Sequence, residues 1–285
     1  MKIGILSDIH IDINFSDTDR VTPSIIQYIR THSLDLMIIA GDVASNYELT
    51  LGSLKDIEEK GGIPCLFVPG NHDIWVEHHE DKTSWDMYGL LKTYSHNLAN
   101  VAYEINNDWV VIGDLGWYDF SFGDKKYSFK DFSLMTYEER VWQDSIKAVW
   151  DRSTLDMHKY FIDKLERQLI KYQNKKIIVV THVLPVLDFT VQPPSPMWEY
   201  MNAFLGSSEY GELILKYPNV KYTVSGHVHY RKQKTIQGTE FICNCLGYRS
   251  EWHENDDADT EVKRSMITIE INSDIKPVET YSKIC

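Results

Sequence analysis

The sequence predicts an α/β fold, a sheet of buried strands flanked by helices, joined to a more antiparallel portion toward the C-terminal end. Three observations carry that expectation. Short apolar runs rich in β-branched residues recur along the chain, at 3–6, 36–40, 65–68, 177–180 and 222–224. Such runs suit strands buried on both faces. Helical patterns lie between several of them. Beyond residue 230, strand-like runs follow one another with no helical pattern between them.

The helices are read from apolar spacing. Residues 22–31 carry Ile25, Ile26 and Ile29 on one face, and 48–60 carry Leu51, Leu54 and Ile57. Residues 155–172 carry Phe161, Leu165 and Leu169, while 209–216 stops before Pro218. The later strands are expected at 234–236, 240–245, 265–271 and 277–281, with a further one at 109–113. No internal repeat and no Gly/Ser- or Pro-rich linker divides the chain. The expectation is one domain, 1–285, with an aromatic-rich insertion at about 117–150. The segment 183–198 holds Pro185, Pro193, Pro194 and Pro196 and reads as a long loop. The acidic run 251–261 reads as a solvated loop.

With 29 basic and 42 acidic residues the net charge is −13. That balance disfavours a nucleic acid polymer or an anionic membrane as partner, since both need a basic surface. A small phosphorylated substrate stays compatible, because bound cations would dominate the field inside a site. The start, MKIGILSDIH, has too short an apolar run for a signal peptide or a membrane span. Cys65, Cys243, Cys245 and Cys285 show no zinc-site spacing and read as reduced structural thiols, so a cytoplasmic protein is expected.

The five early strands share a property. Each runs into residues that bind metals: Asp8-Ile9-His10, Gly41-Asp42, Gly70-Asn71-His72-Asp73, Thr181-His182 and Gly226-His227-Val228-His229. Ligands of open α/β sheets bind outside the carboxyl ends of the strands, so these residues are expected to meet. The i, i+2 spacing of Asp8/His10 and His227/His229 suits an extended segment with both side chains on one face. The glycines would let the backbone turn sharply. Carboxylate, amide oxygen and imidazole together favour manganese, iron or zinc over calcium. There are too many donors for one four-coordinate ion. The set suits two divalent or trivalent ions about 3.5–4 Å apart.

The order D-x-H, G-D, G-N-H-[D/E], H, G-H-x-H resembles the calcineurin-like metallophosphoesterase superfamily, over residues 8–229. The resemblance implies a four-layer α/β/β/α sandwich with two mixed sheets flanked by helices. It also implies a dinuclear hydrolase of phosphate esters using a metal-activated hydroxide. Asp8, His10 and His229 would hold one ion, and Asn71, His182 and His227 the other. Asp42 would bridge the two, and His72 would face the leaving group. Asp73 could orient His72 or cap a helix. The sequence departs from the protein Ser/Thr phosphatases, lacking an arginine after Gly41-Asp42 and reading Gly70-Asn71-His72-Asp73. Small phosphodiesters are therefore the expected substrates, ahead of phosphomonoesters, phosphoproteins or a non-catalytic scaffold. Trp117, Tyr118 and Arg249 are candidates for contacting substrate, against the plainer readings of core aromatics and a surface ion pair. His32, His78, His79, His96, His158 and His253 have no motif context.

Overall fold

The computed structural model describes residues 1–77, 81–254 and 256–272. The first sheet grows from the N-terminal third. Strands β1 (Lys2–Leu6), β2 (Leu36–Ile39) and β3 (Cys65–Phe67) run parallel, linked by α1 (Val21–His32) and α2 (Tyr47–Gly61). The Asn46 side chain caps α2 by accepting from the Leu49 amide, and Gly62 ends it in a left-handed turn. Alternation along the strands assigns the faces. Met37, Ile39 and Phe67 pack with Ile25, Ile29, Leu54 and Ile57 of the helices. Ile3, Ile5, Leu36 and Ile38 point the other way.

The second sheet follows. After α3 (Ser84–Leu91) come β4 (Tyr103–Glu104) and β5 (Trp109–Asp114). The 117–150 segment then folds as α4 (Phe129–Ser133), the small hairpin β6 (Thr136–Tyr137) and β7 (Arg140–Val141), and α5 (Asp144–Lys147). Next come α6 (Thr154–Lys171), β8 (Lys176–Thr181), α7 (Pro196–Met201), α8 (Ser208–Leu215), β9 (Val220–Ser225), β10 (Arg231–Ile236) and β11 (Thr239–Asn244). The chain closes through α9 (Ala258–Ser265) into β12 (Ile267–Glu270). The first sheet has the order β12-β1-β2-β3 and the second β10-β11-β9-β8-β5-β4.

The sheets stack through one apolar layer. Ile3, Ile5, Leu36 and Ile38 meet Val111, Ile178, Val180, Val224 and Ile242 across it. The outer face of the second sheet, including Val110, Ile112, Ile177 and Val179, packs on α6 and α8 through Ile162, Leu165, Leu169, Leu213 and Ile214. Helices therefore cover both outer faces of two mixed sheets, as the resemblance implied. The sheets are also stitched at one end. Ser7 and Cys245 form a parallel bridge, and the Leu246 and Gly247 amides donate to the Ser7 and Asp8 carbonyls at 2.8 and 3.1 Å.

Four expectations need correction. The antiparallel C-terminal part is not a separate portion: β10 and β11 extend the second sheet, while β12 returns beside β1. A helix does intervene there, because the acidic run supplies a cap. Asp257 accepts from the Thr260 amide, and Asp259 and Glu261 lie in the first turn, where the helix dipole favours them. The strand expected at 265–271 accordingly begins two residues later, at Ile267. The segment read as a long loop, 183–198, also holds the start of a helix: α7 begins at Pro196, where a missing amide costs nothing. The strand expected at 277–281 lies outside the described residues, as do His78, His79 and Cys285.

Candidate metal centre and active site

All seven candidate ligands stand at carboxyl ends of strands, at the stitched end of the sandwich. Asp8 and His10 follow β1, Asp42 follows β2 and Asn71 follows β3. From the second sheet, His182 follows β8, and His227 and His229 follow β9. The extended geometry expected for the paired ligands is not what forms. Asp8, His10, Asp42, His227 and His229 have φ of 52°, 39°, 55°, 74° and 55°. Each sits in the left-handed region, which Asp and His tolerate better than most residues but at a cost of order 1 kcal/mol. Of the three motif glycines only Gly41 turns through positive φ. Gly70 and Gly226 are needed for close approach: a Cβ on Gly70 would run into Asp42 Oδ1, and one on Gly226 into Ser7 Oγ.

The donor atoms converge. His229 Nε2 lies 3.5 Å from Asp8 Oδ1 and 3.1 Å from His10 Nε2. His182 Nε2 lies 3.0 Å from both Asn71 Oδ1 and His227 Nδ1. Asp42 Oδ2 stands between these groups, 3.8 Å from His10 Nε2 and 3.4 Å from His182 Nε2. Its other oxygen accepts the His72 amide at 2.9 Å.

The outward hydrogen bonds determine which atoms face inward. His182 Nδ1 meets the Ala40 carbonyl at 2.8 Å, His227 Nε2 the Phe204 carbonyl at 3.1 Å, and His229 Nδ1 the Glu251 carboxylate at 2.7 Å. Those nitrogens must donate. The Asn71 amide nitrogen donates to Asp144 Oδ1 at 2.9 Å. With the rings neutral, what remains inside is a cluster of lone pairs, from imidazole, carboxylate and amide oxygen, with acceptors facing acceptors. Bound cations, or protons on His182 and His229, would satisfy it, so the residues present fit metal ions.

Protonation follows the same logic. Burial opposes charge on His182, but the Asp42 carboxylate outweighs it and holds the ring's pKa up at about 10. Burial opposes charge on His229 too, and Glu251 outweighs it, raising that pKa. His227 has no such partner on its free face, and burial followed by repulsion from His182 takes it down to about 3. Burial and then His72 lower His10. Burial pushes the Asp42 carboxyl up, yet His182 and His72 together hold it well below the usual carboxylate range.

His72 belongs to the same cluster. Its ring packs on Trp75 with centroids 3.6 Å apart, its Nδ1 is 3.2 Å from Ser45 Oγ, and its Nε2 is 3.9 Å from Asp42 Oδ2. Asp73 does not orient it. The Asp73 carboxylate turns into the protein, where it accepts the amides of Asp42, Val43, Ala44 and Gly70 and the Thr50 hydroxyl. It pins the Asp42 loop to the Gly70 turn, a job the neighbouring sequence did not reveal.

The substrate candidates are placed elsewhere. Trp117 and Tyr118 are core residues, 2% and 0% exposed, with stacked rings. Arg249 is bound to Asp19 Oδ2 at 2.6 Å and lies over Trp252. None of the three lines the cleft above the ligands, which has a volume of about 620 Å³. A larger cavity, about 1170 Å³, lies between α1 and α2 and contains none of the ligands.

Two functional candidates were missed. Glu251 holds His229, as above. Asp144, buried at the start of α5, accepts Asn71 Nδ2, Trp75 Nε1 at 2.7 Å, Trp142 Nε1 at 2.9 Å and Tyr118 Oη at 3.2 Å. An acid set among tryptophans was the available signal, but one too common to use alone. His158 also has partners that its sequence context did not suggest: its Nε2 is 2.7 Å from Glu209 Oε2 and 4.0 Å from Asp119 Oδ2.

The sequence profile of the calcineurin-like phosphoesterases matches residues 1–231, and the chain belongs to that family. Three solved structures share its fold. The phosphopantetheinyl hydrolase PptH from Mycobacterium tuberculosis is 17% identical, with a TM-score of 0.72 over 99% of this chain and 98% of that one. TT1561 from Thermus thermophilus is 13% identical, with a TM-score of 0.52 over 94% and 97%. A dimetal phosphatase from Danio rerio is 13% identical, with a TM-score of 0.50 over 86% and 87%. No curated protein matches the sequence.

Proposed function

We propose that the chain is a dinuclear metal-dependent hydrolase of small phosphodiesters. Asp8, His10 and His229 hold one ion, and Asn71, His182 and His227 the other. The observation that carries this reading is the position of Asp42, whose Oδ2 is shared between His10 and His182 and so joins two donor groups into one centre. The donor set suits manganese, iron or zinc. When bound, such ions supply Lewis acidity toward phosphoryl oxygens and a water acidified enough to act as nucleophile.

The protein's own residues do the rest. Asp42, held by the His72 amide and the Asp73-pinned loop, fixes the spacing of the two halves. His72 sits on Trp75 at the cleft and delivers a proton to the departing oxygen. Burial lowers its pKa, with Asp42 and Asp144 pulling the other way, so an anionic ester beside it favours the protonated ring. The diester preference rests on charge. No Lys or Arg lies among the described residues lining the cleft, so only the ions and a protonated His72 would balance the second charge of a monoester. Among the described residues no helix is long and apolar enough to cross a membrane. Cys65, Cys243 and Cys245 are free and buried, which favours a reducing cytoplasmic setting.

The test is turnover of matched nitrophenyl mono- and diesters by chelator-stripped protein reloaded with manganese, iron or zinc. Metal-dependent hydrolysis with the diester ahead in kcat/KM is expected. Metal binding without turnover would make the chain a scaffold, and a monoester preference of about tenfold or more would overturn the diester assignment.

A further inference from the structure

The cleft above the metal ligands has a wall that their chemistry does not require. Trp142, Trp198, Tyr230, Tyr248, Val191 and Val228 line it, and all six are only partly buried. Large apolar side chains left half-covered around a concave space are a place for an apolar ligand. The wall is also fixed in shape. Trp142 is tied through Nε1 to Asp144, and its ring stacks on Phe204 with centroids 5.4 Å apart. Tyr248 packs edge-on against His229 at 4.4 Å. Trp198, on α7, packs against both the first and second apolar clusters.

The charge in the wall has one sign. Asp144 and Glu251 line the cleft, and the described lining holds no ammonium or guanidinium. Two flanking lysines are committed elsewhere. Lys147 Nζ lies 4.5 Å over the Trp75 ring and donates to Glu77 at 2.8 Å. Lys232 Nζ lies 4.6 Å over Tyr230 and donates to the Thr190 carbonyl at 3.0 Å. A second phosphate on the substrate would therefore meet carboxylates and indoles, and the nearest cations beyond the centre, Lys147 and Lys232, are already bonded to other groups.

We infer that the cleft selects phosphoesters whose remote substituent is uncharged and bulky, aromatic or branched aliphatic, and rejects substituents carrying a further phosphate. The inference rests on the hydrolase reading for its assay, but not for its outcome, because binding alone can decide it.

The experiment compares three manganese-dependent substrates with one leaving group: methyl, benzyl and 4-phosphonobenzyl p-nitrophenyl phosphate. Benzyl should exceed methyl in kcat/KM by about tenfold or more, and the phosphonobenzyl ester should fall about tenfold or more below benzyl. Trp198→Ala should cut the benzyl-to-methyl ratio about threefold or more at unchanged metal content, and Trp198→Phe should restore most of it. A benzyl-to-methyl ratio within about twofold of unity, a phosphonobenzyl ester as good as benzyl, or a ratio unmoved in Trp198→Ala would each overturn the inference. If no ester turns over, the hydrolase reading fails. The affinities of dibenzyl and dimethyl phosphate for the manganese-loaded protein, by calorimetry, then decide the cleft's selectivity by the same ratio.

Discussion

Gly70 shows how much of the centre depends on what single residues leave out. Any side chain there would collide with the Asp42 carboxylate and amide. Gly70→Ala should therefore displace Asp42, lowering bound metal per chain below that of the unsubstituted protein by elemental analysis, and turnover by about 100-fold. His72→Asn asks a different question. General acid help matters most for a poor leaving group, so the variant should lose about 10²–10⁴-fold on an alkyl ester and much less on a nitrophenyl ester, with metal content unchanged. Equal losses on both would remove the acid role. At this scale the candidate ligands were legible in the sequence as a group that would converge, because each ended an apolar run. Asp73 was misjudged because what it binds is backbone, from Asp42, Val43 and Ala44, which no sequence pattern displays. The left-handed conformations of five ligands were equally invisible, since Asp and His do not announce positive φ as glycine does.

Among the elements, α5 and α9 were the least legible and have the clearest consequences. The α5 segment looked like an aromatic insertion, yet it delivers Asp144 to Asn71 across 73 positions. That carboxylate fixes which end of the Asn71 amide faces the centre. Asp144→Ala should weaken metal binding about 10–100-fold, read as a rise in the metal concentration needed for half-maximal activity. Asp144→Asn should lose less, since it keeps an acceptor for one indole. The α9 helix went unread because its acidic run looked like solvated loop. Asp257→Ala removes the cap at its start and should cost about 1 kcal/mol in denaturant unfolding, with little change in the metal content of the folded protein. The strands were read well for the opposite reason. Burial on both faces leaves a continuous apolar run, whereas a short helix at the edge of a site is defined by contacts made after folding.

The whole molecule couples the ions to acidity and to stability. His182 and His229 are the two candidate ligands whose folded pKa values are raised, and each would have to lose its proton to bind metal. Below about pH 6.5, where a free imidazole titrates, the His182–Asp42 pair supports the stripped fold fully, and that support fades as pH rises toward about 10. Metal affinity runs the other way: as pH rises from about 6.5 toward about 10 it should climb by about one decade per pH unit for the proton displaced from His182, and more steeply where His229 releases one too. Metal-induced gains in Tm should grow over the same range, and a flat response would place the protons elsewhere. Asp8, His10, Asp42 and Asn71 belong to one sheet, and His182, His227 and His229 to the other. The centre is thus a rivet through two plates that also meet along an oily seam and a short row of stitches. The tolerance of that seam is set by chemistry rather than by folding. A core truncation between the plates, such as Ile178→Ala, could leave the chain folded and still let the two half-sets of ligands drift by the fraction of an ångström that a bridging carboxylate cannot follow.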